Sequence, residues 1–379
     1  MAGLSLAIWL FLLLFWGNFW RGNCRIETHS EVLANYPTVC AIVPARDEAE
    51  SIETSLTSLL KQDYPGKFSL VLVDDNSSDR TAEIAIATAE RLNKSEQLTV
   101  VSGKSLASGW KGKLWAMQQG IAEARTRFTP DYFLLTDADI QHPTDNIKRL
   151  VAKAQTQQLD LVSLMVLLRC QSFWEKLLIP AFVFFFQKLY PFAWVNNPNK
   201  SLAAAAGGCI LISNQALIEI GGIATIKDAL IDDCSLAKAV KSTGKNIWLG
   251  LSETTTSLRG YDNLSIIWDT IARTAYTQLN YSPLSLVGTV IGMVVVYLVA
   301  PMGLIIGTFN NNWLLITMSI FTWLLMTRAY LPTIELYKLS IVWAFCLPAI
   351  ALLYTLMTID SAIKYYRGKG GAWKGRTYS

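Results

Sequence analysis

Apolar residues are spread unevenly along the chain. The stretch 4–20, LSLAIWLFLLLFWGNFW, carries no charge, and after Asn280 three further apolar stretches follow at 284–308, 313–327 and 339–358. Between these ends, from Thr38 onward, apolar and polar positions alternate with the short periods of strands and helices. The first stretch sits at the lower limit of what crosses a hydrocarbon core. It reads as an uncleaved anchor over 1–20, because the basic n-region and small-residue cleavage site of a secretory signal are missing. Arg21 and Arg25 follow it directly and favour a cytoplasmic location for the domain at 38–280.

In that domain TVCAIVPA (38–45), FSLVLVDDNS (68–77), QLTVVSG (97–103) and DYFLLTDAD (131–139) read as strands. Helical patterns over 48–61, 79–92 and 114–125 separate them. Strands alternating with helices predict an α/β fold around a mainly parallel sheet. Ligands of such sheets gather at the carboxyl ends of the strands. That is where Pro44 to Glu48, Asp74 and Asp75, and Asp137 to Asp139 fall. The aromatic segment 173–195, broken by Lys176, Pro180, Lys188 and Pro191, fits a helix pair lying in the headgroup region and fits a buried core helix equally well.

Composition adds to this picture. The 379 residues are 52% hydrophobic and only 16% charged, which implies a globular domain held at a membrane, here a multi-pass protein of the plasma membrane. The net charge of +4 is not gathered into a basic stripe, so a nucleic-acid partner is not indicated. Six scattered cysteines form neither a zinc pattern nor a disulfide framework. The tail 360–379, after the membrane region 284–358, carries five basic residues from Lys364 onward. Three full crossings would place it outside, against the positive-inside tendency, so one segment, 313–327 as the shortest, is expected to be re-entrant or interfacial.

The chemistry concentrates on acids at strand ends. Asp137 and Asp139 stand two apart, so on an extended strand they point the same way and repel unless a cation lies between them. Oxygen ligands of this kind suit Mg²⁺ or Mn²⁺ completed by water and phosphate; a solvated turn accounts for the triplet as well. His142 follows it, as a third metal contact or in a helix-start or surface role, and His29 is the other histidine. In VDDNSSDRT one acid suffices for a turn and helix cap, leaving a second to accept from a nucleoside. Lys111 and Lys113 lie in a glycine-containing loop before a helix, which suits diphosphate oxygens and equally a solvated loop. The small residues of AAAAGGCILIS (203–213) fit close packing or close approach to a sugar or acceptor.

Five ordered motifs, IVPARDEAESIETSLTSLLKQDYP, VLVDDNSSDRT, LLTDADIQHP, AAAAGGCILISNQALIEIGG and DALIDDCSLAKAVKSTG, resemble the family 2 inverting glycosyltransferases of GT-A fold over about 39–244. The membrane layout and the GGAWKGR tail are most similar to hopanoid-associated members of that family. The resemblance implies that Pro44, Ala45 and Glu48 surround a nucleotide sugar, expected to be a UDP-sugar, and that Asp75 reads its uracil or ribose. It implies that Asp137 and Asp139 hold a divalent cation and the diphosphate. Asp232 and Asp233 occupy the acidic pair, with Asp233 as catalytic base; the family more often has Glu at the first of these. The Q-x-x-R-W motif of processive members is reduced to Arg273 in TIARTAY, leaving Arg273 or Arg376 as a clamp on the diphosphate.

The expected function is therefore transfer of a sugar, expected to be a hexose, from a nucleotide donor to a lipid, with inversion. A transferase acting on polyprenyl phosphate and a non-catalytic membrane scaffold with a degenerate nucleotide site are the alternatives. A glycoside hydrolase leaves the nucleotide motifs unexplained. A transporter is disfavoured because the apolar segments carry almost no ionisable residue.

Overall fold

A computed structural model describes residues 1–27 and 31–368, together with the backbone of Ala372–Trp373 and Arg376–Thr377. His29 and the side chain of Arg376 lie outside the described residues. The strands are β1 (Val39–Ala45), β2 (Phe68–Asp74), β3 (Leu98–Ser102), β4 (Tyr132–Thr136), β5 (Ile140–Gln141), β6 (Leu161–Leu167), β7 (Cys209–Ser213) and β8 (Ile247–Ser257). They form one sheet of order β3-β2-β1-β4-β7-β6-β8-β5. The four strands β3, β2, β1 and β4 run parallel, whereas β7 is antiparallel to both β4 and β6.

The helices are α1 (Ala2–Phe15), α2 (Ile52–Leu60), α3 (Thr81–Arg91), α4 (Gly112–Arg127), α5 (Asn146–Thr156), α6 (Phe173–Leu189), α7 (Phe192–Val195), α8 (Asn214–Glu219) and α9 (Asp232–Ser242). After them come α10 (Leu264–Gln278), α11 (Pro283–Met293), α12 (Val299–Phe309), α13 (Trp313–Leu336), α14 (Val342–Phe345) and α15 (Leu347–Tyr366). Both sheet faces are covered. Ile42, Val71, Val73 and Phe133 enter one core with α4 and α9, while Ala41, Val43, Leu70 and Leu134 enter a second with α2 and α5. Double-sided burial is why these strands read as apolar runs. In the crossover from β3 to β4, Gly120 of α4 lets the helix close on the sheet, since a Cβ there would lie 2.7 Å from Ile42 Cγ2.

One expectation about the acidic triplet changes. β4 ends at Thr136, and Asp137 to Asp139 form the turn into β5 rather than the end of an extended strand. The turn, not strand periodicity, therefore sets the two carboxylates. β5 pairs with β8, and Leu258 N–H donates to Asp139 O at 2.8 Å, which ties the turn to the far edge of the sheet.

The apolar ends gather into a third core. α1 is 14 residues, roughly 21 Å of helix, and packs along α13, with Trp9 buried and its indole donating to Val296 O at 2.7 Å. Among the described residues three helical stretches, Pro283–Phe309, Trp313–Leu336 and Leu347–Tyr366, are long and apolar enough to cross a membrane. The middle one has 24 residues, so the shortness expected of 313–327 does not hold. Its pattern fades at Thr327 and Arg328, but Thr327 is buried and the Arg328 guanidinium lies over the Trp20 ring at 4.9 Å, so the helix continues. α12 and α13 pack closely as a hairpin, with Gly303 facing Ser319.

For segment 173–195, the described residues fit the buried alternative. α6 is a single helix opened by a Ser172–Glu175 capping box. Ile179 and Val183 enter the core of the sheet, and Leu178, Ala181 and Phe184 enter the core of the apolar helices. α15 lies against α6 and α10: Tyr354 donates to Leu178 O at 2.9 Å, Trp268 to Asp360 at 2.8 Å, and Lys364 pairs with Asp269 at 2.7 Å.

Candidate active site

The carboxyl ends of β1 and β4 open onto a cleft of about 170 Å³. Pro44, Glu48, Lys113, Asp137, Asp139, Asp232 and Arg273 all line it, so most of the residues expected at the site converge. Ala45 is the last residue of β1 and fixes the neighbouring loop by accepting from Asp75 N–H at 2.8 Å. Asp75 is buried behind the cleft wall, and the Arg46 guanidinium reaches its carbonyl at 2.7 Å and its carboxylate at 3.8 Å. Any contact of Asp75 with a nucleoside is thus made beside Arg46.

Lys113 is the centre of the charge arrangement. It stands in the first turn of α4 and lines the cleft. Its Nζ lies 2.8 Å from Asp137 Oδ1 and 3.2 Å from Asp232 Oδ2, with the side chain 19% exposed. Burial pulls its pKa down, but the Asp137 and Asp232 carboxylates outweigh that and hold it above the ordinary lysine range. Lys113 therefore stays a cation and couples the acidic turn to the acidic pair of α9.

Asp232 and Asp233 open α9, where the helix N-terminus favours negative charge. The Asp233 carboxylate accepts from Gly207 N–H at 2.9 Å and Cys234 N–H at 2.7 Å. Gly207 lies close against both groups: a Cβ there would stand 3.3 Å from Lys113 Nζ and 3.5 Å from Asp233 Oδ2. Burial, followed by the Asp232 charge, pushes Asp233 up to about 6. A carboxyl group there gains a proton more readily than a solvated one, as a general base requires. A base works only when deprotonated, so kcat/KM should climb as pH rises through about 6 and then level off. A pH profile of kcat/KM for the acceptor, at limiting acceptor and saturating donor, checks this; an acid limb near pH 4 would remove Asp233 from the role.

Two residues escaped the sequence reading. Arg46 follows Ala45 inside a quoted motif but carries no motif signal of its own. Arg259 lies just past β8, which pairing with β5 sets beside the Asp137 to Asp139 turn; it lines the cleft with Arg273. No local spacing connects Arg259 to that turn. Together Lys113, Arg259 and Arg273 form a cationic wall suited to a diphosphate.

The turn also suits a hard cation. Burial, then the charges of Asp137 and Glu48, push Asp139 up to about 7, so this oxygen cluster holds more negative charge than it can comfortably keep. Among the described residues no group of three or more His, Cys, Asp or Glu is arranged to hold an ion by itself. A divalent ion at Asp137 and Asp139 would have to take its other ligands from diphosphate and water. His142 does not join them, nor does it sit on the surface. It is buried, its ring nitrogens 3.1 Å from Thr136 Oγ1 and 2.9 Å from Asn146 Nδ2, and burial pushes its pKa down to about 3, so it is a neutral core residue.

The model of Glycosyl transferase family 21 matches residues 7–379. The chain is 35% identical to beta-monoglucosyldiacylglycerol synthase of Synechocystis sp. over 117 residues, 31% of this chain and 22% of that protein. It is 32% identical to undecaprenyl-phosphate 4-deoxy-4-formamido-L-arabinose transferase of Pseudomonas aeruginosa over 144 residues, 36% of this chain and 38% of that one. The matches thus span well under half of either relative's length. Among solved structures, a mannosyltransferase from Pyrobaculum calidifontis, in complex with GDP-Man and Mn²⁺, superimposes with a TM-score of 0.54 at 19% identity. That likeness covers 97% of this chain and 99% of the other and is one of fold.

Proposed function

The chain belongs to glycosyl transferase family 21, and from that premise we propose that it is a membrane-bound inverting glycosyltransferase moving a sugar from a nucleotide donor to a lipid. The family number differs from the one the sequence motifs resemble, while the α/β architecture with apolar C-terminal helices is the one expected of GT-A type enzymes. The observation that carries the proposal is Asp233: a carboxylate with a raised pKa, fixed by two backbone N–H groups and one buried cation away from a diphosphate-sized cationic cleft.

The donor's nucleoside lies along Pro44, Ala45 and Glu48 with Asp75 and Arg46 behind it. Its diphosphate faces Lys113, Arg259 and Arg273, which stabilise the charge that develops on the leaving group. A Mg²⁺ or Mn²⁺ ion held by Asp137 and Asp139 would supply further Lewis-acid neutralisation there. Asp233 accepts the proton of the attacking hydroxyl, and a single displacement inverts the anomeric carbon. A UDP-hexose is the favoured donor and a hopanoid-related lipid the favoured acceptor, both on the resemblance of the motifs and tail.

The test is a donor screen on purified protein, following UDP or GDP release with and without Mn²⁺ in the presence of total membrane lipid. Release that depends on lipid and metal with one donor is the expected result. No release with any nucleotide sugar, from protein that still binds UDP, would favour the non-catalytic scaffold.

The helix contacts support one membrane arrangement as part of this proposal. α11 begins just after Tyr281, and α13 is followed by Tyr337 in the core of the sheet domain, so a hairpin that leaves and re-enters on one face fits both ends. α15 lies along α6 and α10 and need not cross. The tail is then on the catalytic, cytoplasmic side of the plasma membrane, as its basic residues favour. In a cysteine-free background, cysteines at Glu90 and Gly368 should react with an impermeant maleimide from the same side, and one at Asn311 from the other. Labelling of Gly368→Cys together with Asn311→Cys would refute this topology.

A further inference from the structure

Glu175 is a buried carboxylate that the mechanism above does not use. It stands at the third position of α6, and its Oε2 accepts from Gln171 N–H and Ser172 N–H, both at 2.8 Å. Those contacts complete the capping box, so the cap accounts for one oxygen only. The other, Oε1, accepts from Tyr261 N–H at 2.7 Å, 86 residues further along. Burial pulls this carboxyl up, but the N–H donors of Tyr261, Ser172 and Gln171 outweigh it and hold the group below the ordinary carboxyl range, so Glu175 is a fixed anion at neutral pH. Tyr261 belongs to the segment 258–263, which joins β8 to α10 and carries Arg259 into the donor cleft. Three ties hold that segment: Leu258 N–H donates to Asp139 O at 2.8 Å, Tyr261 N–H to Glu175, and Asp262 pairs with Arg169 at 3.0 Å. Arg169 Nη1 also lies 3.7 Å from Glu175 Oε1, and it passes so close to Gly260 that a Cβ there would overlap it. Between the ties the Arg259 guanidinium lies over the Tyr261 ring, 5.8 Å from its centroid.

We infer that Glu175, with Arg169 beside it, is a positioning residue for the donor's diphosphate: it fixes the backbone of Tyr261, whose ring carries the Arg259 guanidinium beside Arg273. The inference rests on the transferase reading above. Electrostatics ask for such a brace. Arg259 and Arg273 are like charges lining one cleft, so a loop free to move would carry Arg259 out to solvent. Held in place, it meets the leaving diphosphate without reorganisation. The brace also stands on a rigid element, since Ile179 and Val183 of α6 enter the core of the sheet and Leu178 and Phe184 that of the apolar helices. A cap alone would leave the Oε1 contact with Tyr261 unexplained.

Affinity for UDP or GDP, whichever the parent binds, measured on the full-length protein in nanodiscs, tests this. In Glu175→Gln the amide NH₂ must face either Tyr261 N–H or the cap donors, and affinity is expected to fall about tenfold, as in Arg259→Ala. The double variant should bind no worse than Arg259→Ala alone, because both changes remove the same contact. Ser172→Ala removes the reciprocal cap bond from Glu175 N–H, 3.2 Å long, and spares Oε1, so it should melt lower yet bind as the parent does. Parent-like affinity in Glu175→Gln, or a double variant weakened about a hundredfold, would overturn the inference. If Glu175→Gln does not fold, Arg169→Gln decides: Arg169 is partly exposed, its loss unties Asp262, and undiminished affinity would overturn the inference equally. A parent that binds neither nucleotide and releases neither in the donor screen would remove the transferase reading itself, whereas one that binds a nucleotide and is indifferent to Glu175 removes only this inference.

Discussion

Replacing Asp233 with asparagine is expected to lower sugar transfer by on the order of 10³-fold with donor affinity nearly unchanged. The amide has the shape of the carboxylate, and its oxygen can still accept from Gly207 N–H or Cys234 N–H. What it lacks is the basicity to take a proton from an alcohol. Asp233 is pushed up to about 6 in the folded protein, above the ordinary carboxyl value of 3.8, so between those two values the folded state binds more protons than the unfolded chain. Stability is accordingly lost as pH rises through that window, and above it the ionised carboxylate is a net cost to the fold. The Asn variant should therefore melt no lower than the parent at pH 7.5, and melting curves with turnover assays separate the two effects. Full turnover in the variant would mean an acceptor that is already an anion, such as a polyprenyl phosphate.

Lys113→Met should be damaging in both respects. The side chain is 19% exposed and touches Asp137 and Asp232, so its loss leaves two carboxylates facing each other beside Asp233. Removing one partner from a buried charge cluster costs about 3 kcal/mol or more. Transfer should also fall by about 10²-fold, because a cation facing the leaving diphosphate is lost. Thermal unfolding and kcat/KM check the two parts. An unchanged melting temperature would show that the acids do not depend on Lys113, and unchanged kcat/KM would remove it from the diphosphate wall. Added Mn²⁺ should recover part of the stability, since Asp137 and Asp139 are the cation's proposed holders.

Much of the site was legible along the chain because its parts are local. Pro44, Asp75 and Asp137 each end or closely follow a strand, and apolar runs bounded by acids announce such positions within a few residues. Other features needed distant neighbours. Asp137 and Asp139 were read as side chains of one extended strand, yet a turn tied to β8 sets them. His142 looked like a ligand or a surface residue by proximity to that turn, but Thr136 and Asn146 enclose it in the core. The helix α13 outran its apolar pattern because Trp20, brought from the other end of the chain, covers Arg328.

The sequence by itself determined the alternation of strands and helices, the acids at the strand ends, and which stretches are apolar enough for a membrane. These properties depend on residues within one turn or one strand of each other, whose period fixes which face each side chain takes. Only the tertiary structure decided that Lys113 bridges Asp137 and Asp232, that Arg259 faces the acidic turn, and that α15 lies against α6 and α10. Those pairings depend on strand order and helix packing, which bring charges together across loops whose lengths carry no record of the contact; their strength comes from burial, which no single segment supplies.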